Sequence, residues 1–263
     1  MTHERLTRLR EPLVGRAVYR ARSRRGMEVW VAPMPDFART AAVLGVRFGA
    51  LDTRLAAGGL LPLGTAHFLE HVMFQKEDGD VFAVYDARGA AGNAFTTWTW
   101  TGFVFTCCED AEANLDTLLG AVRRFEVDAA GVDRERRIIA REIAAYADDP
   151  AWRGYVALLR ALYRRHPVRE DIAGTPASIA RIDAALLAEV HARRYHPRNL
   201  VLAVAGPLAA GRVLARADAL GRSGGRGGRN RRAPHPEPRS LRRREVREAL
   251  PIARPHVWLG VKD

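Results

Sequence analysis

Apolar and polar residues alternate over residues 27–34 (MEVWVAPM), the period-two pattern of a half-buried strand. Residues 40–51 (TAAVLGVRFGAL) and 200–205 (LVLAVA) read as two more strands. Residues 93–108 (NAFTTWTWTGFVFTCC), rich in Thr and aromatics, read as one long strand. Helical periodicity predicts helices over about 111–125, 132–147, 151–163, 183–195 and 209–220. A shorter helix over 81–88 is broken by Gly89 and Gly92. Gly58, Gly59 and Gly64 mark a loop, after which a helix opens around Thr65 as its N-cap.

The pattern stops after the last of these helices. Residues 222–247 are rich in Gly, Arg and Pro and hold almost no core-forming side chains, the composition of a flexible linker. Residues 257–261 (VWLGV) then predict one further strand. A lone strand cannot bury a core, so residues 248–263 read as the opening of a second, truncated domain. The organisation expected is a basic arm over 1–25, a principal domain over 26–221, the linker over 222–247, and this fragment.

Charge changes the picture less than its size suggests. The formal net charge of +12 over 263 residues points at first to nucleic acid. Residues 1–25 carry eight Arg against two Glu, and residues 222–247 carry ten Arg against two Glu, which leaves the body slightly acidic. The excess therefore sits in the arm and linker and not in a groove, and no specific nucleic-acid partner is expected. No run of eighteen apolar residues predicts a transmembrane helix, and the charged N-terminal stretch shows no signal-peptide pattern. Cys107 and Cys108 are adjacent, which in a strand places their side chains on opposite faces and suits neither a disulfide nor a metal site. A cytoplasmic location is expected.

The strongest chemical signal is HFLEH, residues 67–71. On a helix His67 and His71 stand one turn apart on the same face and can share a metal ion. Glu70 lies beside the second histidine, where a carboxylate can take a proton from a metal-bound water. The spacing is the inverted form, HxxEH, of the zinc hydrolase motif HExxH. Catalytic zinc usually takes three protein ligands, so a third must come from another element. Glu135 and Glu142 lie seven residues apart on one face of the helix predicted over 132–147, flanked by Ile138, Ile139 and Ile143. A carboxylate on a buried face is costly unless paired or metal-bound, and a salt bridge with a nearby Arg would serve as well. The other histidines suit ligation less: His166 and His196 precede Pro, His191 lies within a helix, and His3, His235 and His256 fall in the arm or linker.

HFLEH, then Asn93-Ala94-Phe95-Thr96, then Glu135 followed by Glu142 together resemble the insulinase/pitrilysin family of zinc peptidases, which includes the mitochondrial processing peptidase. Residues 166–179 (HPVREDIAGTPASI) and 195–206 (YHPRNLVLAVAG) match that family's later blocks, and the resemblance spans about 26–210. The chain looks most like bacterial two-component members, of the kind associated with elongation factor P modification or bacteriocin peptide processing. The resemblance implies an α+β fold, a mixed and largely antiparallel sheet packed against helices as in the processing peptidase. It implies one zinc ion per chain held by His67, His71 and Glu142, with Glu70 as general base of an endopeptidase acting on peptides or small unfolded proteins. Glu135 becomes an acid that orients a ligand without binding the metal. Asn93, Ala94 and Thr96 become a substrate-binding edge. Phe68 is a candidate for an apolar subsite, with the hydrophobic core as the alternative place for an aromatic at that position. Complete members have two homologous halves, so the resemblance also implies a second insulinase-like chain or a C-terminal half as partner. The alternative is a catalytically incomplete half, a scaffold or peptide-binding subunit.

Overall fold

The computed structural model describes residues 6–11, 15–55, 59–76, 79–220, 230 and 232–262. Gly58, named above in the loop, and residues 222–229 of the expected linker lie outside them. Seven strands form one sheet: β1 (Thr7–Glu11), β2 (Arg16–Arg22), β3 (Glu28–Pro33), β4 (Thr40–Val46), β7 (Ala91–Thr96), β8 (Thr101–Cys107) and β9 (Leu200–Gly206). Their order is β1-β2-β3-β9-β4-β8-β7, and β3 with β9 is the parallel pair in an otherwise antiparallel sheet. Between β4 and β7 lie a short hairpin, β5 (Gln75–Lys76) and β6 (Gly79–Asp80), and two helices, α1 (Thr65–Met73) and α2 (Val81–Asp86). Between β8 and β9 come α3 (Ala111–Arg123), α4 (Ala129–Asp148), α5 (Pro150–Leu162), α6 (Pro176–Ile179) and α7 (Ala184–Arg194), and α8 (Ala210–Ala219) follows β9. The fold is α+β.

Strand alternation sets the core. Val29 and Val31, Ala42, Leu44 and Val46, Phe103 and Phe105, and Leu200, Leu202 and Val204 are all buried. Register aligns them: Leu44 sits opposite Phe103 on one side and Leu202 on the other. They pack against Leu115, Leu118 and Val122 of α3, Leu187 and Val190 of α7, and Val213 and Leu214 of α8.

Four features depart from the sequence expectations. The stretch expected as a basic arm carries β1 and β2, paired with β3 at one edge of the sheet. The single strand expected over 93–108 is a hairpin. Thr97 turns the chain: its N–H donates to the Trp100 carbonyl (2.8 Å), and its Oγ1 accepts from the Thr99 and Trp100 amides (3.2 and 3.1 Å). Trp100 then folds back edge-on against Phe95, over Gly45 and Gly102, where a Cβ at Gly102 would lie 2.5 Å from Phe95.

Thr65 is the first residue of α1 and not its N-cap; Gly64 caps the helix at φ 86. A Cβ at Gly64 would come within 2.4 Å of the Ala173 carbonyl, and one at Gly174 within 2.6 Å of the Leu63 carbonyl. Ser178 Oγ donates to that same Leu63 carbonyl (2.8 Å), so the loop before α1 interlocks with the loop before α6. Lastly, residues 257–261 form no strand, and Val257, Leu259 and Val261 are exposed.

The described part of the expected linker has no helix or strand but is tied to the domain. Asn230 Nδ2 donates to Asp52 Oδ1 (2.7 Å) and Arg232 pairs with Asp52 (3.1 Å). The Glu237 carboxylate accepts from the Arg164, Arg165 and His166 amides (2.8, 2.7 and 2.7 Å) and pairs with Lys262 (2.6 Å). Burial opposes its charge, but these donors hold its carboxyl down at about 2. No helix among the described residues is long and apolar enough to cross a membrane.

Candidate metal centre

Helix α1 is amphipathic across a narrow seam. Phe68, Leu69, Val72 and Met73 enter the core, while His67 and His71 project together toward α4. Their rings meet edge-on, with centroids 4.7 Å apart. Helix α4 is opened by Asp128, whose side chain accepts from the Gly131 amide (2.7 Å). Buried Val132 and Ile139 hold one face of α4 on the domain, and Glu135 and Glu142 stand on that side two turns apart.

The two helices bring one carboxylate to both imidazoles. Glu142 Oε2 lies 3.6 Å from His67 Nε2 and 3.3 Å from His71 Nε2. One donor atom from each of the three residues lies within 4.8 Å of the others, the group among the described residues that could hold a metal ion. Two imidazole nitrogens and one carboxylate oxygen form a donor set typical of zinc. Bonds of about 2.0–2.1 Å to a tetrahedral ion put its ligand atoms about 3.3–3.4 Å apart, near the separations observed. The residues fit the ion.

Neighbouring groups hold this arrangement. His71 Nδ1 lies 3.3 Å from Glu135 Oε2, and Tyr146 donates its hydroxyl to Glu142 Oε1 (2.8 Å). Glu135 is 2% exposed, with His71 against one of its oxygens and Arg134 3.8 Å from the other. The His67 and His71 contacts keep the Glu142 carboxyl far below the usual carboxylate range, against the opposing effect of burial. For His71 burial alone would favour the neutral ring, but Glu135 and Glu142 push it up to about 9. Burial and the hydrogen bond to Glu142 raise Tyr146 to about 12, so it stays a donor.

Glu70 lies on the same helix beside His71, and Thr96 donates to its Oε2 (2.6 Å). Thr96 ends β7, the outermost strand, which pairs only with β8 and leaves its far side without a strand neighbour among the described residues. Asn93 and Ala94 lie on the same strand, and Asn93 Oδ1 accepts from the Ala94 amide (2.9 Å).

Phe68 departs from expectation. It is completely buried in the core and offers no face to a ligand, because one residue past His67 the helix has turned about 100° away from the metal side. Tyr146 escaped sequence reasoning; its signal was the four-residue spacing from Glu142, which places both on one helix face. His191 and His166 make local contacts away from the metal centre. His191 Nε2 donates to the Val122 carbonyl (3.0 Å), with burial pushing its pKa down to about 4, and His166 accepts from the Val168 amide. Cys107 is buried and Cys108 exposed, both as free thiols.

This geometry has a family. Residues 62–176, which include both helices, match the model of Insulinase (Peptidase family M16). The chain belongs to that family. The uncharacterized zinc protease YmfH of Bacillus subtilis (strain 168) is 40% identical over 196 residues, covering 73% of this chain and 46% of that protein. A putative M16-like peptidase from Alicyclobacillus acidocaldarius has a solved structure that superposes with a TM-score of 0.79 at 33% identity, over 89% of this chain and 56% of that one. A peptidase M16 inactive domain from Pseudomonas fluorescens shares the fold, with a TM-score of 0.72 at 18% identity, over 81% of this chain and 52% of that one. The chain thus spans about half the length of the relatives it matches.

Proposed function

We propose that this chain is the metal-bearing half of a zinc endopeptidase that cleaves peptides or small unfolded proteins, with one zinc ion held by His67, His71 and Glu142. The observation that carries this reading is the convergence of both imidazoles on Glu142 Oε2 with Glu70 alongside. When bound, zinc supplies Lewis-acid polarisation of the scissile carbonyl and a lowered water pKa. Glu70 takes the proton from the attacking water and passes it to the leaving amine. Thr96 holds one oxygen of that carboxylate by its hydrogen bond and so fixes its orientation. Glu135 accepts from His71 Nδ1, which leaves the Nε2 lone pair directed at the metal. The free edge of β7 takes the substrate as an added strand, with Asn93, Ala94 and Thr96 along it.

The half-length span supports a second insulinase-like chain or a C-terminal half as partner, which closes over the cleft. Two unpaired cysteines support a cytoplasmic location. The competing reading is a scaffold or peptide-binding subunit, supported by the shared fold of a domain described as inactive. A quenched-peptide cleavage assay decides between them, run with and without a supplied C-terminal half or partner. Chelator-sensitive cleavage in either arm is the expected result; cleavage that ignores chelator, or none under any pairing, removes the enzyme reading.

A further inference from the structure

A second charged cavity lies away from the metal centre. The turn joining β2 to β3 and the loops beside β4 and β9 line a half-open cavity of about 450 Å³, with Arg22, Arg24, Arg25, Arg47 and Arg198 around it and Glu28 as the one lining carboxylate. Strand register places it on the same end of the sheet as the metal. Thr96 pairs with Thr101, Thr101 with Val46, Val46 with Leu200, and the neighbouring Val201 with Glu28. Four strand spacings therefore separate Thr96 from Glu28, about 19 Å at about 4.8 Å each. The two sites do not share a residue.

The arginines are positioned, not merely numerous. Gly26 takes φ +96 and closes the turn, with Ser23 Oγ accepting the Met27 amide (3.0 Å) and Arg22 donating to the Gly26 carbonyl (3.0 Å). The Arg198 stem lies across this glycine so closely that a Cβ there would sit 2.7 Å from its Cγ. Glu28 already has two guanidinium partners, Arg47 and Arg20, each at 2.9 Å, and Asp218 lies 3.6 Å from Arg24. No hydrogen bond or ion pair joins Arg25 or Arg198 to a carboxylate among the described residues. Arg25 and Arg198 are thus the two guanidiniums of the lining on which the site rests, with Glu28, the lining carboxylate, already engaged by Arg47 and Arg20.

We propose that this cavity binds a multivalent phosphate anion, of the size of a diphosphate. Guanidinium groups offer paired N–H donors that match phosphoryl oxygens, and two of them without a carboxylate partner among the described residues are best met by a ligand carrying more than one negative charge. The cavity volume falls in the range of small-ligand sites.

Isothermal titration of the full zinc-loaded chain with inorganic pyrophosphate at low ionic strength tests it, with zinc content measured before and after. Saturable binding to one site is expected, weakened at least tenfold in the double variant Arg25→Gln/Arg198→Gln. Neither side chain has an acidic partner among the described residues, and Gln keeps the Arg198 stem as far as Cγ, so an unchanged melting temperature is expected. The double variant Arg242→Gln/Arg243→Gln removes the same charge elsewhere and is expected to bind within twofold of the parent. Equal weakening in both double variants reduces the effect to net charge and overturns the site. Absence of saturable binding, loss of zinc in step with the heat signal, or binding of an Asp/Glu peptide in preference to pyrophosphate overturns it too.

Discussion

The metal centre and the arginine cavity stand at one end of the same sheet and concentrate charge in opposite ways. At the metal centre two helices deliver their groups from a packed base: Glu135 is 2% and His67 8% exposed, and each of the two imidazoles lies within 3.6 Å of a carboxylate. At the cavity a turn and two loops beside β4 and β9 deliver guanidiniums, four of the five exposed, around one lining carboxylate. Burial makes the first site depend on pairing, since removing one partner strands the others in a poorly solvated setting. Exposure lets the second keep unpaired charge at little cost to folding.

That contrast yields predictions of graded size. His71→Ala or Glu142→Ala is expected to take bound zinc from one equivalent to near none, measured by elemental analysis after dialysis; pyrophosphate binding is expected to persist. A zinc-replete His71→Ala protein would break the comparison outright. Glu70→Gln is expected to keep its zinc while cleavage by the partnered protein falls roughly 10²–10⁴-fold. Full activity in that metal-loaded variant would end the base assignment.

Glu135→Gln touches the metal only through His71, so zinc affinity is expected to drop about 10–100-fold. Competition with a chromophoric chelator measures it, and an unchanged affinity would mean that His71 needs no such support. The pH dependence follows from His71. Its pKa in the folded, zinc-free protein is raised to about 9 from an ordinary 6.5. Its protonation therefore stabilises that form fully below about 6.5, and the contribution is lost as pH rises through about 9. Zinc must displace that proton, so its affinity is expected to climb up to tenfold per pH unit over the same window and then flatten. A flat affinity across it would contradict the Glu135 and Glu142 contacts. The smallest effect is expected from Tyr146→Phe. Losing one hydrogen bond of about 1 kcal/mol to Glu142 weakens zinc only several-fold.

Much of this was legible in the sequence, unevenly. The interior strands β3, β4 and β9 show clear alternation because one face of each lies on the core. β1 and β2 carry so many arginines that they read as an arm. In β2 only Ala21 is fully buried, while Arg20 lies over the Trp30 ring on the other face, so the strand's signal is mostly hidden under charge. The hairpin at 97–100 escaped because Thr and Trp continue the strand composition through the turn. HFLEH declared its chemistry through spacing alone. Glu135 and Glu142 did not separate on spacing, since both share one helix face; only the packing of α4 on α1 puts Glu142 against both Nε2 atoms and Glu135 behind His71. Of the two places open to Phe68, subsite or core, the structure takes the core, because adjacency in sequence is divergence on a helix.

The interlock of Gly64 and Gly174 has a mechanical side. Two backbone loops, more than a hundred residues apart in the chain, meet where each lacks a side chain, and Ser178 pins the contact. The first turn of α1 thus rests against a rigid stop supplied by the GTPAS segment. A single methyl at either glycine would lift the helix from that stop and swing both imidazoles, with no ligand altered. The seat of the helix that carries His67 and His71 thus depends on atoms that two glycines lack.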